Sequence, residues 1–379
     1  MVLFFNPNQS FLKQIIFTVT NDLNYDQRMI RICTSLAEAG YRVLLTGTRN
    51  RLSAPLQERK YQQKRIFTFF RCGFGFYAEY NFRLFWWLLF KKADITCCID
   101  LDTMLPVWLS SKLKHTKRVY DAHEYFSEQK EIISRPKVYK VWHWIEKTFV
   151  PKFRNGYCVS NSIIAAFKDH YGVNYDLVRN IPLLKTITLS STPKEKIILY
   201  QGAVNEARGL EFLIPAMIQV DAKLVIYGDG NFMEQTKALI MANNLAGKVL
   251  LKGKVLPDQL DSITQEAYIG VNLVENIGLN QYYSLANKFF DYIQNGIPQL
   301  TMDFPEYKTI NDEFEVAILI KDLSAETITA ALNRLLNDEE LYKRLQENCF
   351  KAREILNWQE EEKKLIDFYS KIFNRGEHE

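Results

Sequence analysis

Along the chain, unbroken apolar runs of about five to seven residues alternate with stretches whose apolar positions recur every three or four residues. The runs in the first half are KQIIFTVT (13–20), YRVLLTG (41–47), RIFTFF (65–70), DITCCI (94–99), KRVYDA (117–122) and GYCVSN (156–161). In the second half they are KIILYQG, AKLVIYG, KVLLKG, YIGVNLV, PQLTM and VAILI. A strand with one wetted face would alternate apolar and polar positions, so unbroken runs predict strands buried on both faces, in parallel sheets covered by helices. Two such sets predict an α/β protein of two doubly wound, Rossmann-like domains. The first helix is expected over QRMIRICTSLAEAG, with Ile30, Cys33, Leu36 and Ala37 as its apolar face and Gly40 as its stop. The polar segment PLLKTITLSSTPKEK (182–196) is the expected linker. Near the end, Trp358, Leu365, Phe368, Tyr369 and Ile372 form one helical stripe that needs a surface to cover.

Composition sharpens this picture in three places. The 379 residues are 47% apolar, enough for two cores. The longest apolar run, LFWWLLF (84–90), ends at Lys91 and Lys92, far short of the roughly 20 residues of a membrane span. The opening MVLFFNPNQSFLKQ has no basic leader or small-residue cleavage site, so a cytoplasmic location is expected. Six cysteines (33, 72, 97, 98, 158, 349) show no Cys-x-x-Cys spacing, which favours buried thiols over a zinc site or disulfides. Residues 1–180 carry 27 Lys and Arg against 15 Asp and Glu, a balance of +12, whereas 181–379 carry 21 against 29, a balance of −8. A basic half fits a polyanionic partner or an anionic membrane surface, with a merely solvated face as the alternative.

Several stretches carry candidate chemistry. The first strand is followed by NDLNYDQR, which lacks the glycines of a dinucleotide cradle, so a nicotinamide-dependent oxidoreductase is set aside. In LYQGAVNEARGLEFLIPAM, Gly202 allows close backbone approach, and Arg208 stands just before a helix whose free amides favour an anion; an ordinary strand-to-helix turn is the alternative. IYGDGNF places Gly228 at a second strand end, where a tight turn explains it equally. In YYSLANKFFDYIQNGIP, residues 275–284 are expected to form a loop and Leu285 to Gln294 a helix closed by Asn295 and Gly296. Ser284, Asn287, Lys288 and Asp291 then share one face near the helix start. A carboxylate there can accept both hydroxyls of a ribose and a lysine can balance phosphate; an internal Lys288–Asp291 ion pair on a wet face is the alternative.

Taken together, VTNDLNYDQRMIRICTSLAEAGYRV, YDAHEYFSE, YQGAVNEARGLEFLIPAM, GDG and NKFFDYIQNGIP followed by FPEYKTI resemble the retaining glycosyltransferases of the GT-B fold, family 4 and its group 1 relatives in polysaccharide and lipopolysaccharide synthesis. The resemblance implies an acceptor-binding domain over 1–185, a nucleotide-sugar-binding domain over 186–355, the two facing across a cleft, and a helix over 356–379 crossing back to the first. It implies donor contacts by Gly202, Arg208, Gly228, Tyr283, Ser284, Asn287, Lys288 and Asp291, with Arg208 on the pyrophosphate and Asp291 on the ribose. Tyr283 stands where the family often has an acid, and Ala203 where it often has an arginine; backbone amides around Tyr283 and Ser284 are the candidate replacements. Asp121, His123 and Glu124 are the catalytic candidates, a titratable cluster at a strand end where the family places a histidine near the donor sugar and acceptor. Asn21, Asp22 and Arg28 are candidate acceptor contacts, with helix capping as the alternative for Asn21 and Asp22.

The expected activity is transfer of a hexosyl group from a nucleoside diphosphate sugar to a saccharide or lipid-linked acceptor in cell-surface polysaccharide synthesis. Charge developing on the pyrophosphate would be met by Arg208, Lys288 and helix amides, so no metal and no cofactor are expected, and Asp100 and Asp102 are read as a strand-end loop. Retention of configuration comes from the resemblance alone. A nucleotide-sugar epimerase and a non-catalytic nucleotide-sugar-binding protein remain alternatives. No nucleic-acid partner is expected. Two segments, FRLFWWLLFKK and RPKVYKVWHWIEKTFVPKFR, interleave cations with large aromatics; Trp86, Trp87, Trp142 and Trp144 belong either to a peripheral contact with the inner face of a membrane or to the core.

Overall fold

The computed structural model describes residues 13–24, 26–186 and 195–375, without the side chains of residues 257 and 258. The N-terminal leader question and the middle of the expected linker therefore lie outside the described residues. The chain divides into two compact units, Met1–Arg179 with Glu362–Glu379, and Asn180–Glu361.

In the first unit β1 (Gln14–Thr18), β2 (Arg42–Arg49), β3 (Gln62–Phe67), β4 (Ile95–Ile99), β5 (Lys117–Ala122), β6 (Asn155–Cys158) and β7 (Asp176–Leu177) form one parallel sheet in the order β3-β2-β1-β4-β5-β6-β7. In the second, β8 (Ile197–Gln201), β9 (Lys223–Tyr227), β10 (Val249–Gly253), β11 (Ile269–Asn272), β12 (Gln299–Met302) and β13 (Ala317–Ile320) form another in the order β10-β9-β8-β11-β12-β13. Both are doubly wound parallel sheets. Central strands such as β4 and β12 are buried at every position, as unbroken apolar runs require.

The edges depart from the expected pattern. β3 begins at Gln62 rather than Arg65, because an edge strand is wet along one side and tolerates the polar Gln62, Gln63 and Lys64. β7 is two residues long and escapes detection by any apolar run. The first helix spans Gln27–Glu38, but its buried face is Met29, Ile32, Cys33 and Leu36, with Ile30 and Ala37 only half buried. That rotation carries Arg28 inward, where it has a buried partner.

Strand order reverses between β1 and β4 and again between β8 and β11. At such a point the connections leave to opposite sides and open a crevice at the strand C-termini. After β11, the loop holds a one-turn helix, Leu279–Tyr282, and the next helix starts at Asn287, two residues later than expected, because Ser284 Oγ donates to Gln281 O (2.8 Å) and the Ala286 amide to Tyr307 Oη (3.0 Å). It ends at Gln294, with Asn295 as its cap and Gly296 at φ +65°.

The last helix, Trp358–Asn374, begins in the second unit, where the Trp358 amide donates to Pro182 O (2.9 Å). From Glu362 onward it belongs to the first unit. There Tyr369 meets Phe17 edge-on at 5.9 Å and Phe368 meets Tyr157 at 5.1 Å, so the tail stripe has its surface.

Gly228, at the end of β9, has φ +154°, and a Cβ on it would stand 1.8 Å from the Gly202 carbonyl oxygen. Backbone cannot yield as a side-chain tip can, so Gly228→Ala is expected to cost roughly 2–4 kcal/mol. Gly247→Ala, whose Cβ meets nothing within 4 Å, should change stability by less than about 0.5 kcal/mol. Urea denaturation of both variants checks the contrast.

Candidate active site

Asp121, one residue from the end of β5, is fully buried and takes Arg28 Nη2 at 2.8 Å. Arg28 Nη1 donates to Val178 O (3.1 Å), and the guanidinium lies 5.8 Å from the Tyr157 ring centre. Burial works against both charges, but the Asp121 carboxylate raises the Arg28 pKa, and Arg28 and His123 together pull Asp121 below the usual carboxylate range. His123 is partly exposed just beyond β5, with Nε2 3.3 Å from Asp121 Oδ2 and its amide donating to Asp100 Oδ1 (2.9 Å). Burial disfavours the imidazolium; Asp121 and Asp100 outweigh it and raise the His123 pKa above 6.5. Arg28, Asp121 and His123 thus form a relay of contacts from helix to strand end.

Asp100 follows β4 with φ 49° and ψ −170°, a conformation costing a non-glycine residue about 1–3 kcal/mol. It is held there by its own amide donating to Asp121 O (3.0 Å) and by its carboxylate on the His123 amide. Asp102, in the turn Leu101–Thr103, accepts from Thr20 Oγ1 at 2.5 Å, and burial pushes its carboxyl up to about 6. Glu124 is exposed and accepts from Gln129 Nε2 at 2.5 Å. The pair read as a plain strand-end loop, Asp100 and Asp102, therefore shares the strand edge with His123.

The expected acceptor residues separate. Asn21 is exposed, and its amide donates to Asp26 Oδ2 (3.1 Å), while Asp26 Oδ1 caps the helix at the Met29 amide (3.0 Å). Asp22 accepts from the Asn24 amide (3.0 Å) and lies 4.0 Å from Arg65 Nη1. Capping thus falls to Asp26 and not to either candidate. Arg28 is turned inward and occupied by Asp121 and Val178, which makes it a positioning residue for Asp121 and not a surface open to an acceptor.

In the second unit the loops after β8 and β9 are laced together: the Gly202 amide donates to Tyr227 O (2.9 Å) and the Val204 amide to Asp229 O (3.0 Å). Lys288, in the first turn of the helix Asn287–Gln294, lays Nζ 3.8 Å from the centre of the Tyr200 ring and against Gly202. It makes no ion pair among the described residues, so the alternative of an internal Lys288–Asp291 pair is not formed. Asp291 instead accepts from Gln201 Nε2 (3.0 Å), whose Oε1 accepts from Thr264 Oγ1 (2.8 Å). Burial first, then the neighbouring Arg208, lowers the Lys288 pKa to about 7, with Asp291 opposing. Arg208 is half buried before Gly209 and the helix Leu210–Ala216. Two mutually repelling cations beside an open glycine loop form a site that an anion would relieve.

The remaining candidates flank this site. Asn287 Oδ1 accepts from Asn180 Nδ2 (2.8 Å), Ser284 lies outside the helix, and half-buried Tyr283 stands 5.5 Å from the Tyr282 ring. Tyr200, Gln201 and Thr264, which seat Lys288 and Asp291, were not singled out from the sequence. The polar Gln201 ending an apolar strand was the available signal.

Two family models meet within the chain: "Glycosyltransferase Family 4" over residues 27–183 and "Glycosyl transferases group 1" over residues 188–352. Alpha-D-kanosaminyltransferase from Streptomyces kanamyceticus is 25% identical over 159 residues, 40% of this chain and 39% of that protein, so the chain matches well under half of that relative's length. Among solved structures, sucrose-phosphate synthase from Thermosynechococcus elongatus superposes with a TM-score of 0.81 at 14% identity, over 96% of this chain and all (100%) of that one. Anabaena HepE in complex with UDP-glucose gives 0.73 at 11% identity, over 94% of this chain and 99% of that one. At such identities the structural likeness carries the fold, and the two models, one on each sheet, carry the family: the chain belongs to the GT-B glycosyltransferases of group 1 and family 4.

Proposed function

We propose that the protein transfers a hexosyl group from a nucleoside diphosphate sugar to a saccharide or lipid-linked acceptor in cell-surface polysaccharide synthesis, with retention and without a metal. The observation that carries the donor side is Lys288 held between the Tyr200 ring and Gly202, with Arg208 near enough to lower its pKa. A diphosphate placed there replaces repulsion by attraction. As the anomeric C–O bond to the diphosphate breaks, negative charge grows on the leaving oxygen, and preformed cations stabilise that charge more than the ground state. Asp291, fixed by Gln201, is set to accept the ribose hydroxyls. The HepE complex with UDP-glucose makes that donor the first to test.

In the first unit His123 is the reactive candidate, partly exposed and backed by Asp121 and Asp100. Its imidazole is suited to hold an acceptor hydroxyl or to meet charge on the transferring sugar. Asp121 and Arg28 act through it. Glu124, exposed beside His123, remains a catalytic candidate in this proposal, and Asn21 and Asp22 remain acceptor contacts.

Incubation with a panel of nucleotide sugars beginning with UDP-glucose, with and without saccharide acceptors and chelator, tests the whole reading. Acceptor-dependent diphosphate release that survives the chelator supports it, whereas an isomerised sugar without transfer would indicate an epimerase. Three variants refine it. Asp291→Ala should weaken nucleoside diphosphate binding by roughly 10- to 150-fold, the loss of a hydrogen bond to a charged group, and equal affinities by calorimetry would place the donor elsewhere. Because the Lys288 pKa is about 7, diphosphate affinity should fall as pH rises from 6 to 9, and Lys288→Met should flatten that dependence. His123→Ala should lower kcat by about 100-fold while donor affinity holds within about twofold. Unchanged kcat in a folded variant would remove His123 from the chemistry.

A further inference from the structure

Within the first unit, the helices Gly73–Leu89, Met104–Lys114 and Pro136–Phe149 pack side by side. They lead from β3 to β4, from β4 to β5 and from β5 to β6, all in the same direction across the sheet, so right-handed crossovers put them on one face. Their outer surface is apolar where a soluble face should be polar. Phe90 is 81% exposed, Leu113 62%, Trp144 57% and Trp86 48%. Trp87 and Trp142 are half buried, so none of these four tryptophans belongs to the fully buried core.

Cations are interleaved with these rings. Lys91 lies 5.7 Å from the Trp87 ring, Lys112 5.3 Å from Trp108, and Lys152 4.7 Å from Trp108. Lys91, Lys92, Lys112 and Lys152 are exposed among these rings, whereas Arg83 is paired with Glu79 (2.9 Å) and Lys117 donates to Ile372 O in the last helix. Crossover helices run against their strands, so their C-terminal ends, with Lys91, Lys92 and Lys112, lie at the sheet edge away from His123.

We propose that this face docks on an anionic lipid bilayer, with Trp86, Phe90, Leu113 and Trp144 entering the interface and Lys91, Lys92 and Lys112 meeting the headgroups. Aromatic rings sit well at the boundary between headgroups and acyl chains, and lysines extend their charge from an apolar stem to lipid phosphate. Charge decides between occupants. A second copy using the same face would oppose Lys91, Lys92, Lys112 and Lys152 with their own copies, whereas an anionic membrane complements them. No helix among the described residues is long and apolar enough to cross a membrane, so the contact is a surface one. The inference does not depend on the donor chemistry proposed above, since it is read from vesicles alone.

Flotation of the whole protein with vesicles containing about 30% phosphatidylglycerol, against pure phosphatidylcholine, tests it in the absence of any nucleotide sugar. Binding should be at least about tenfold tighter to the anionic vesicles and should weaken as salt rises. Lys91→Gln with Lys92→Gln should lower partitioning by about fivefold for each lysine, and Trp86→Ser with Phe90→Ser by about tenfold or more. Both pairs are exposed, and an unchanged melting temperature confirms that each variant is folded. Failure of the wild type to float with anionic vesicles, or folded variants that float as it does, overturns the proposal. So does a dimer in sedimentation that Trp86→Ser dissociates, because the face would then be covered by a second copy.

Discussion

A parallel strand cannot return to its neighbour by a tight turn; it must cross the sheet through a long connection, usually a helix. Everything else in each unit follows from that constraint. All strands point the same way, so all their C-terminal loops gather at one edge, and the reversal of order at β1/β4 and β8/β11 keeps those loops from closing over one another. Thr20, Asp100 and Asp102 meet at the first reversal, with Asp121 and His123 beside them on the neighbouring strand. Gly202 and the segment leading to Lys288 meet at the second. The chemistry is gathered by topology before any side chain makes a contact.

What the side chains add is electrical, and the two units differ. In the first, an ion pair is made inside: Arg28 and Asp121 compensate each other out of water, and the result is a fixed carboxylate behind His123. A buried charge pair contributes little net stability, but removing one partner costs about 3–5 kcal/mol, which gives it value as a positional lock. In the second, compensation is partial: Asp291 only opposes the burial and the Arg208 repulsion that lower the Lys288 pKa. Lys288 rests on the Tyr200 ring, whose face offers a weak attraction to a cation without neutralising it. A cation disfavoured in the free protein gains from an anion placed beside it.

The sheets were legible because buried parallel strands write themselves as apolar runs, and β5 matched its run residue for residue. The edge strands β3 and β7 were not, since water relieves an edge of the need to be apolar. Of the candidate site, His123 was visible as a polar residue at a strand end and Lys288 as a cation in the first turn of an otherwise apolar helix. Their partners were not. Asp121 and Arg28 are 93 residues apart, and only the fold brings an arginine on one helix under a strand-end carboxylate. The rotation of the first helix that buries Arg28 reads from sequence as a mere imperfection in the stripe of Ile30 and Ala37. Gln201 was hidden for the opposite reason: it is adjacent to a motif so readable that the residue before it drew no notice.

The last helix gives the chain an order of completion. The first unit is built from both ends of the described sequence, with Tyr369 and Phe368 lying against Phe17 and Tyr157. A nascent chain emerging from the ribosome therefore carries β1 and β6 with an uncovered aromatic groove while the whole of the intervening unit is translated. The second unit, contiguous from Asn180 to Glu361, can close its core first. The unit whose synthesis begins first is the one whose core is covered last.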